Sequence, residues 1–219
     1  MQPISDILTH IKNELEAAKI ERFRKRLVCP ELSKEDFIKI LEMECEIRLL
    51  KRGDIGFFEI DEYNKEVIDQ LYYYISGNQK EFKGSIDKGI LLQGSIGTGK
   101  TILLRGFAGV ISKVLDRNFE YYSAFDINRL IVKDGIEKYS KKPLLIDDLG
   151  KEQEIVKDYG TDVRPILELF ASRYDTGAIT FITTNYNNAT FEKKYGRQTV
   201  DRFIETFNFI QLKGNSRRI

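Results

Sequence analysis

Residues 89–104, GILLQGSIGTGKTILL, constrain the fold more than any other part of this chain. A short apolar run comes first and predicts a buried parallel strand. It is followed by GSIGTGKT, which fits the pattern G-x-x-x-x-G-K-[ST]. In that pattern the glycines let successive backbone N–H groups point at phosphate oxygens, and the dipole of the following helix adds to the attraction. The sequence therefore predicts a strand, a phosphate-binding loop and a helix, in that order.

The end of the motif predicts two separate contacts with a nucleotide. Lys100 is expected to reach the β- and γ-phosphates, and the Thr101 hydroxyl is expected to coordinate Mg²⁺. A glycine-rich turn that matches by chance is the alternative, and average residue usage gives such a match on the order of once in a hundred chains of this size. The predicted phosphate-binding residues are Gly94, Ser95, Ile96, Gly97, Thr98, Gly99, Lys100 and Thr101.

Composition excludes several classes of protein. The 219 residues are 42% hydrophobic and 11% aromatic, as in a globular fold, and a formal net charge of +1 excludes a strongly basic DNA-coating protein. Cys29 and Cys45 cannot form a disulfide framework, and the single histidine, His10, leaves no zinc-ligand spacing. The N-terminus lacks the pattern of a signal peptide, and no apolar run is long enough to span a membrane. We therefore expect a protein of the reducing cytoplasm, without a membrane partner.

Apolar spacing divides the chain into an N-terminal helical region and a larger α/β region. Helices are predicted over 5–28 and 33–52, and they form a helical hairpin within residues 1–56 that either decorates the main domain or docks a partner. Beyond it, strands alternate with helices, which predicts βαβ units and a mostly parallel sheet covered on both faces. Further helices are predicted at 61–77, 99–116, 126–138 and 161–175, and strands at 119–125, 143–147, 178–184 and 207–213.

Hydrolysis of a bound nucleotide needs acidic groups near its phosphates, and PLLIDDLG supplies two at the end of an apolar strand. Asp147 is expected to hold the Mg²⁺, and Asp148 is expected to polarise the attacking water. The next apolar strand, TFITTNY, ends in Asn185, which is expected to contact the same water and the γ-phosphate. Two ordinary carboxylates at a strand exit and a turn-forming asparagine are the structural alternatives.

The motifs that follow the loop, LLIDDLGKE, ASRYDTG, ITFITTNYN, VDRF and LKGNSRR, resemble the DnaC/IstB-like family of AAA+ ATPases. That family contains bacterial and phage helicase loaders and transposition helper ATPases. The resemblance covers about residues 57–219 and implies a P-loop domain of three α/β/α layers. It also implies that residues 94–101 are Walker A, that Asp147 and Asp148 form Walker B, and that Asn185 is sensor 1.

The same resemblance implies roles for two arginines. Arg202 in VDRF matches the position of the family's arginine finger, and Arg218 in GNSRR matches sensor 2 and adds a nucleotide contact. A finger supplied by a neighbour contributes on the order of 10³ to 10⁵ in rate, so Arg202 acting in trans predicts an ATP-dependent homo-oligomer. Two alternatives stay open: Arg202 pairs with Asp201 or Glu205 on a solvated helix face, or Arg197 is the finger.

The sequence departs from the family pattern in two places. The family often has glutamate where this chain has Asp148, and the shorter carboxylate predicts slow turnover, with Glu152 as an auxiliary group. The chain also ends directly after the sensor 2 motif, so no C-terminal lid domain is expected. Arg173, at the end of the helix before sensor 1, is expected to be either an interface contact or a charge at a helix end.

These observations predict an ATP- and Mg²⁺-dependent ATPase that assembles with a replicative DNA helicase on single-stranded DNA and releases it. A basic excess in the C-terminal segment and the run RFRKR at 22–26 are candidate contacts with the DNA backbone. A transposition helper that acts on duplex DNA with a transposase is one alternative. An assembly adaptor that binds ATP without hydrolysing it is the other.

Overall fold

The computed structural model describes residues 3–54, 57–158 and 161–217. In this part of the chain, eight α-helices and seven strands form. The helices are α1 (Ile4–Lys25), α2 (Lys34–Lys51), α3 (Lys65–Ser76), α4 (Lys100–Leu115), α5 (Ala124–Asp134), α6 (Pro165–Thr176), α7 (Asn188–Tyr195) and α8 (Arg197–Thr206). The strands are β1 (Gly89–Gln93), β2 (Glu120–Ser123), β3 (Leu144–Leu149), β4 (Val156–Asp158), β5 (Thr161–Val163), β6 (Thr180–Thr184) and β7 (Phe207–Gln211).

Five strands form one parallel sheet in the order β2-β3-β6-β1-β7. Every residue of β1 is buried, as expected for an inner strand with both faces covered. Because parallel strands end at the same edge, the residues after β1, β3 and β6 lie side by side. The prediction of an α/β fold with a mostly parallel sheet is confirmed, and this edge is where the predicted motifs meet.

Local signals explain most helix boundaries. The Ser33 side chain caps α2 by accepting from the Asp36 N–H, and α3 ends at Gly77, which has a left-handed φ of 73°. The helix predicted from 161 begins later, because Pro165 occupies its first turn. Residues 161–163 instead form β5, which pairs antiparallel with β4 in a hairpin that the sequence analysis did not predict.

The two N-terminal helices differ in their packing. Phe37, Leu41 and Cys45 of α2 are fully buried in the same core as β1 and α4. Two glycines of α4 allow this approach: a Cβ on Gly106 would lie 2.3 Å from the Cys45 sulfur, and one on Gly109 would lie 2.2 Å from a Glu44 carboxylate oxygen. α2 is therefore packed as part of the α/β core, and the predicted division of the chain near residue 56 stays a prediction.

α1 presents its apolar side chains to solvent. Six of them are between 44% and 76% exposed: Ile4, Ile7, Leu8, Ile11, Leu15 and Ile20. Near its C-terminal end, Arg22 and Arg26 form ion pairs with Asp87, and the hydrogen bond from Arg26 is the main cause of the lowered pKa of Asp87. In the part of the chain that is described, α1 included, no helix has the length and apolar character needed to cross a membrane.

Arg173 on α6 is a structural residue, with 2% of its surface exposed. Its guanidinium donates to the Thr180 hydroxyl and to the backbone carbonyls of Tyr139, Lys142 and Ile179. Burial lowers the pKa of Arg173 to about 10. Arg173 does lie in the last turn of α6, as one expectation had it, but its burial argues against an interface contact. The side chain joins the segment before β3 to the start of β6.

Arg173→Leu is expected to lower the free energy of unfolding by about 3 kcal/mol, because it leaves three buried carbonyls without their donor. Arg129→Leu on the exposed face of α5 is the matched control and is expected to change it by less than about 0.5 kcal/mol. Urea unfolding followed by circular dichroism measures both. Equal stability of the two variants would contradict the structural role of Arg173.

Candidate functional site

The loop between β1 and α4 has the backbone shape of a phosphate cradle. Gly97 and Gly99 have φ values of 86° and 94°, which residues with a side chain rarely adopt. The Arg217 N–H donates to the Gly97 carbonyl at 2.8 Å, and a Cβ on Gly97 would lie 2.3 Å from the Ser216 hydroxyl. The loop is therefore shaped by its own glycines and bordered by the segment that follows β7.

Lys100 is folded into this loop and is 5% exposed. Its ammonium donates to the carbonyls of Gly94 and Ser95 at 2.9 and 2.7 Å, and to Asn185 Oδ1 at 2.8 Å. An ammonium has three donors, and each can turn to a phosphate oxygen without moving the helix that carries it. The structure thus brings together the predicted Walker lysine and the predicted sensor 1 asparagine, which are 85 residues apart in sequence.

Asp147 collects three hydroxyl donors. The Thr101 and Thr183 hydroxyls donate to its Oδ1 at 2.8 and 2.5 Å, and the Tyr121 hydroxyl donates to its Oδ2 at 3.0 Å. A hydroxyl and a carboxylate oxygen at the end of a phosphate loop are the hard oxygen donors that Mg²⁺ takes together with substrate phosphates. Thr101 and Asp147 therefore fit the predicted metal site. The described residues contain no cluster of three or more acidic, histidine or cysteine side chains that would hold a metal on its own.

Asp148 stands in a bulge of β3. β3 pairs with β6 through Ile146 and again through Leu149, so that Asp147 and Asp148 together lie opposite the single residue Thr183. Asp148 has a left-handed φ of 56°, and its N–H donates to the Thr183 hydroxyl at 2.9 Å. Backbone strain of this kind is concentrated at functional sites.

Two polar groups face the Asp148 carboxylate. Asn185 Nδ2 lies 3.5 Å from its Oδ1, as predicted for two groups that contact one water, and Lys151 Nζ lies 2.5 Å from its Oδ2. The sequence analysis missed Lys151, although its position three residues after Asp148 is a local signal. This ion pair places the positive charge of Lys151 next to the carboxylate that was expected to polarise the attacking water.

Tyr121 also contacts the candidate site and was not predicted by the sequence analysis. It lies on β2, and the Arg105 guanidinium lies 4.0 Å from its ring centroid. Burial and the nearby Asp147 raise the pKa of Tyr121 to about 12, so the phenol stays protonated and donates. Ser123 of β2 pairs with Asp147 of β3, which places the β2 side chains beside the predicted metal-binding carboxylate, and no short sequence motif encodes this pairing.

Glu152 does not act as the predicted auxiliary group. Its carboxylate is buried and accepts from the Gly150 N–H at 2.8 Å and the Tyr195 hydroxyl at 2.5 Å, with Lys194 at 3.2 Å. These contacts fix the turn after Walker B against α7. The expectation for Glu152 is corrected because both of its oxygens are engaged within the fold.

The structure does not bring Arg202 to the loop of its own chain. α8 joins β7 at Phe207, which pairs with Gly89 at the far end of β1 from the loop. Arg202 and Arg197 are exposed and form no ion pair with another described residue, and Glu205 instead accepts from the Tyr174 hydroxyl. The described residues therefore show no ion pair of Arg202 with Asp201 or Glu205, the alternative that the sequence analysis left open.

The predicted sensor 2 residue, Arg218, lies outside the described residues. The preceding Arg217 pairs with Asp61 at 2.5 Å, and its Cδ would lie 3.4 Å from a Cβ on Gly99. An arginine of the GNSRR motif therefore does lie beside the loop, one residue earlier than the motif comparison indicated.

The fold is similar to those of several solved structures. The DnaC helicase loader is 19% identical with a TM-score of 0.54, over 72% of this chain and 94% of that chain. DnaI is 18% identical with a TM-score of 0.55, over 82% and 93%. The replication initiator DnaA bound to AMPPCP and single-stranded DNA is 19% identical with a TM-score of 0.51, over 72% and 49%.

No protein-family model and no curated protein sequence matches the chain. At these identities the likeness to solved structures concerns the fold. The chain shares the fold of the solved DnaC and DnaI structures, an α/β fold with a mostly parallel sheet.

Proposed function

We propose that this protein is a Mg²⁺-dependent ATPase that assembles with a replicative helicase and helps to place it on single-stranded DNA. The observation that carries the proposal is the meeting of Lys100, Asn185 and Asp148 at the edge of the sheet where the phosphate loop begins. The likeness to DnaC and DnaI supports the loader role, and the DnaA structure with AMPPCP supports a nucleotide at this site.

The residues divide the chemistry of ATP hydrolysis among them. The backbone N–H groups of the loop and the Lys100 ammonium bind the β- and γ-phosphates. Thr101 and Asp147 would hold Mg²⁺, which would supply positive charge to the phosphate oxygens. Asp148 and Asn185 orient the water that adds to the γ-phosphorus as the bond to ADP breaks. Asp148 accepts a proton from that water only when its carboxylate is free of Lys151.

Two lysines of the site are expected to respond in opposite ways. Lys100→Ala is expected to abolish ATP binding or turnover, because the phosphates lose their charged donor. Lys151→Ala is expected to raise kcat by up to about five-fold, since an exposed ion pair of about 1 kcal/mol no longer holds Asp148. Steady-state ATPase assays and nucleotide titrations measure both. Normal turnover of Lys100→Ala would overturn the site, and a slower Lys151→Ala would show that Lys151 assists Asp148.

The exposed arginine on α8 supports assembly of several copies. Arg202 cannot serve the loop of its own chain, because α8 ends at the opposite end of β1. A neighbouring copy that placed its α8 against the loop would supply the cation that the site lacks on that side. We propose that ATP binds between copies and that Arg202 is the finger, with Arg197 as the alternative.

Mixing two inactive variants tests this arrangement. Lys100→Ala and Arg202→Ala are each expected to be inactive, and a one-to-one mixture is expected to recover about a quarter of the parental rate, because some interfaces then combine an intact loop with an intact finger. The same mixture made with Arg197→Ala is the control. Recovery with Arg197→Ala and none with Arg202→Ala would move the finger to residue 197.

The apolar stripe of α1 is proposed as the helicase-docking surface. Ile4, Leu8, Ile11 and Leu15 follow helical spacing, so they lie on one face, and each is more than half exposed. A face of this kind is stabilised when it is laid into an apolar groove of a partner. α1 is joined to the core near Asp87, away from the phosphate loop, so docking leaves the site accessible.

An affinity capture from the native cytoplasm tests the partner. Asp148→Asn is expected to bind ATP and hydrolyse it slowly, and it should retain a hexameric helicase. Adding Ile11→Glu and Leu15→Glu is expected to abolish capture while ATP binding is unchanged. Asn13→Glu with Ala17→Glu is the control, because these exposed positions lie on the opposite side of α1. Capture of a transposase would assign the ATPase to transposition, and capture that survives the Ile11 and Leu15 changes would contradict docking by α1.

A further inference from the structure

A groove of about 420 Å³ lies at the surface of the α/β core, between α2 and α4. Its walls are the C-terminal half of α2 and the outer face of α4, and its floor is the beginning of β2. The close packing of α2 on the glycines of α4 sets its width. No residue of the proposed ATP-binding loop lines it.

The groove concentrates positive charge in a nearly neutral chain. Arg48, Lys51, Arg105 and Lys113 line it, and Glu44 is the one carboxylate among its described lining residues. Glu44 is already neutralised by Arg48, whose guanidinium lies 2.5 Å from the carboxylate. Lys51 and Lys113 are exposed, and neither forms an ion pair with another residue in the described ranges. Two cations, Lys51 and Lys113, are therefore available to an anionic ligand, and Arg105 adds a third positive charge to the lining.

The floor adds flat apolar surface to this charge. Tyr121 is 39% exposed, and the Arg105 guanidinium lies 4.0 Å over its ring. Phe119, half-buried at the start of β2, lines the same floor. Basic walls beside aromatic and guanidinium planes fit a nucleic-acid strand, whose phosphates pair with cations and whose bases stack on flat groups. An acidic peptide would use the cations but not the rings.

We propose that this groove binds the sugar–phosphate backbone of single-stranded DNA. The choice of DNA as the ligand rests on the proposed function. The proposal places the DNA contact on α2, α4 and β2 rather than on the C-terminal segment. The groove adjoins the site, because Tyr121 also donates to Asp147 and Arg105 follows Thr101 by one turn of α4. DNA in the groove therefore contacts the residues that support the metal-binding carboxylate.

The test is the binding of a labelled thymidine oligomer of about 20 nucleotides to the full chain, followed by fluorescence anisotropy at several salt concentrations. Loss of two phosphate contacts is expected to reduce the slope of log affinity against log salt by about 1.4, and the affinity at 0.1 M salt by on the order of 25-fold. The variant is Lys51→Gln with Lys113→Gln. Its ATP binding and basal ATPase rate are expected to match those of the parent.

Lys193→Gln with Lys213→Gln removes the same charge from the C-terminal segment and is the matched control. Equal losses of affinity in the two variants, or a larger loss in the control, would overturn the assignment of DNA binding to the groove. A parent that does not bind the oligomer, or that binds a duplex of the same length more tightly, would also overturn it. Displacement of the oligomer by polyglutamate at equal charge concentration would reassign the groove to an acidic protein. ATPase and helicase capture are measured on the same samples, so failure of the groove is distinguishable from failure of the loader function.

Discussion

The Thr183 hydroxyl holds the candidate site together across one bulge. It donates to Asp147 Oδ1 and accepts from the Asp148 N–H, so a single side chain on β6 fixes one carboxylate and the backbone of the next. The bulge lets two successive residues of β3 turn to the same edge of the sheet, which an unbroken strand would direct to opposite faces. Without that hydroxyl, the left-handed backbone of Asp148 would lose its only described side-chain acceptor.

Asp147 extends this constraint to three other elements. Its carboxylate joins Thr101 at the start of α4 and Tyr121 on β2, besides Thr183 on β6. Hydrogen bonds to an ionised carboxylate are about twice as strong as neutral ones, so the three donors orient it firmly. The orientation of the Asp147 carboxylate, the proposed metal ligand, is therefore set by the sheet before any ligand binds, and a contact at the Tyr121 ring acts on that carboxylate through one hydrogen bond.

The sequence predicted those parts of the site that are local. Residues 94–101, the pair Asp147 and Asp148, and Asn185 each stand in a run whose neighbours already indicate a strand end. The parallel sheet followed from the alternation of helices and strands. Tyr121 and the structural role of Glu152 depend on strand order and on the packing of α7, which no short motif encodes. Arg217 lies beside the loop, whereas Arg218, the residue that the motif comparison indicated, lies outside the described residues and stays a prediction.

The charged groups are distributed unevenly between the phosphate loop and the opposite end of the sheet. On the loop side, the Lys100 ammonium donates to groups of its own chain, and Lys151 forms an ion pair with Asp148. In the isolated chain this ion pair makes the Asp148 carboxylate a weaker base for the attacking water. On the far side, α8 presents two exposed arginines that its own carboxylates do not neutralise. An assembly that joined these two faces would bring cations to the γ-phosphate that has engaged Lys100. Such a site would be slow as a single copy and would hydrolyse ATP only when its neighbour is in place, so assembly would control turnover.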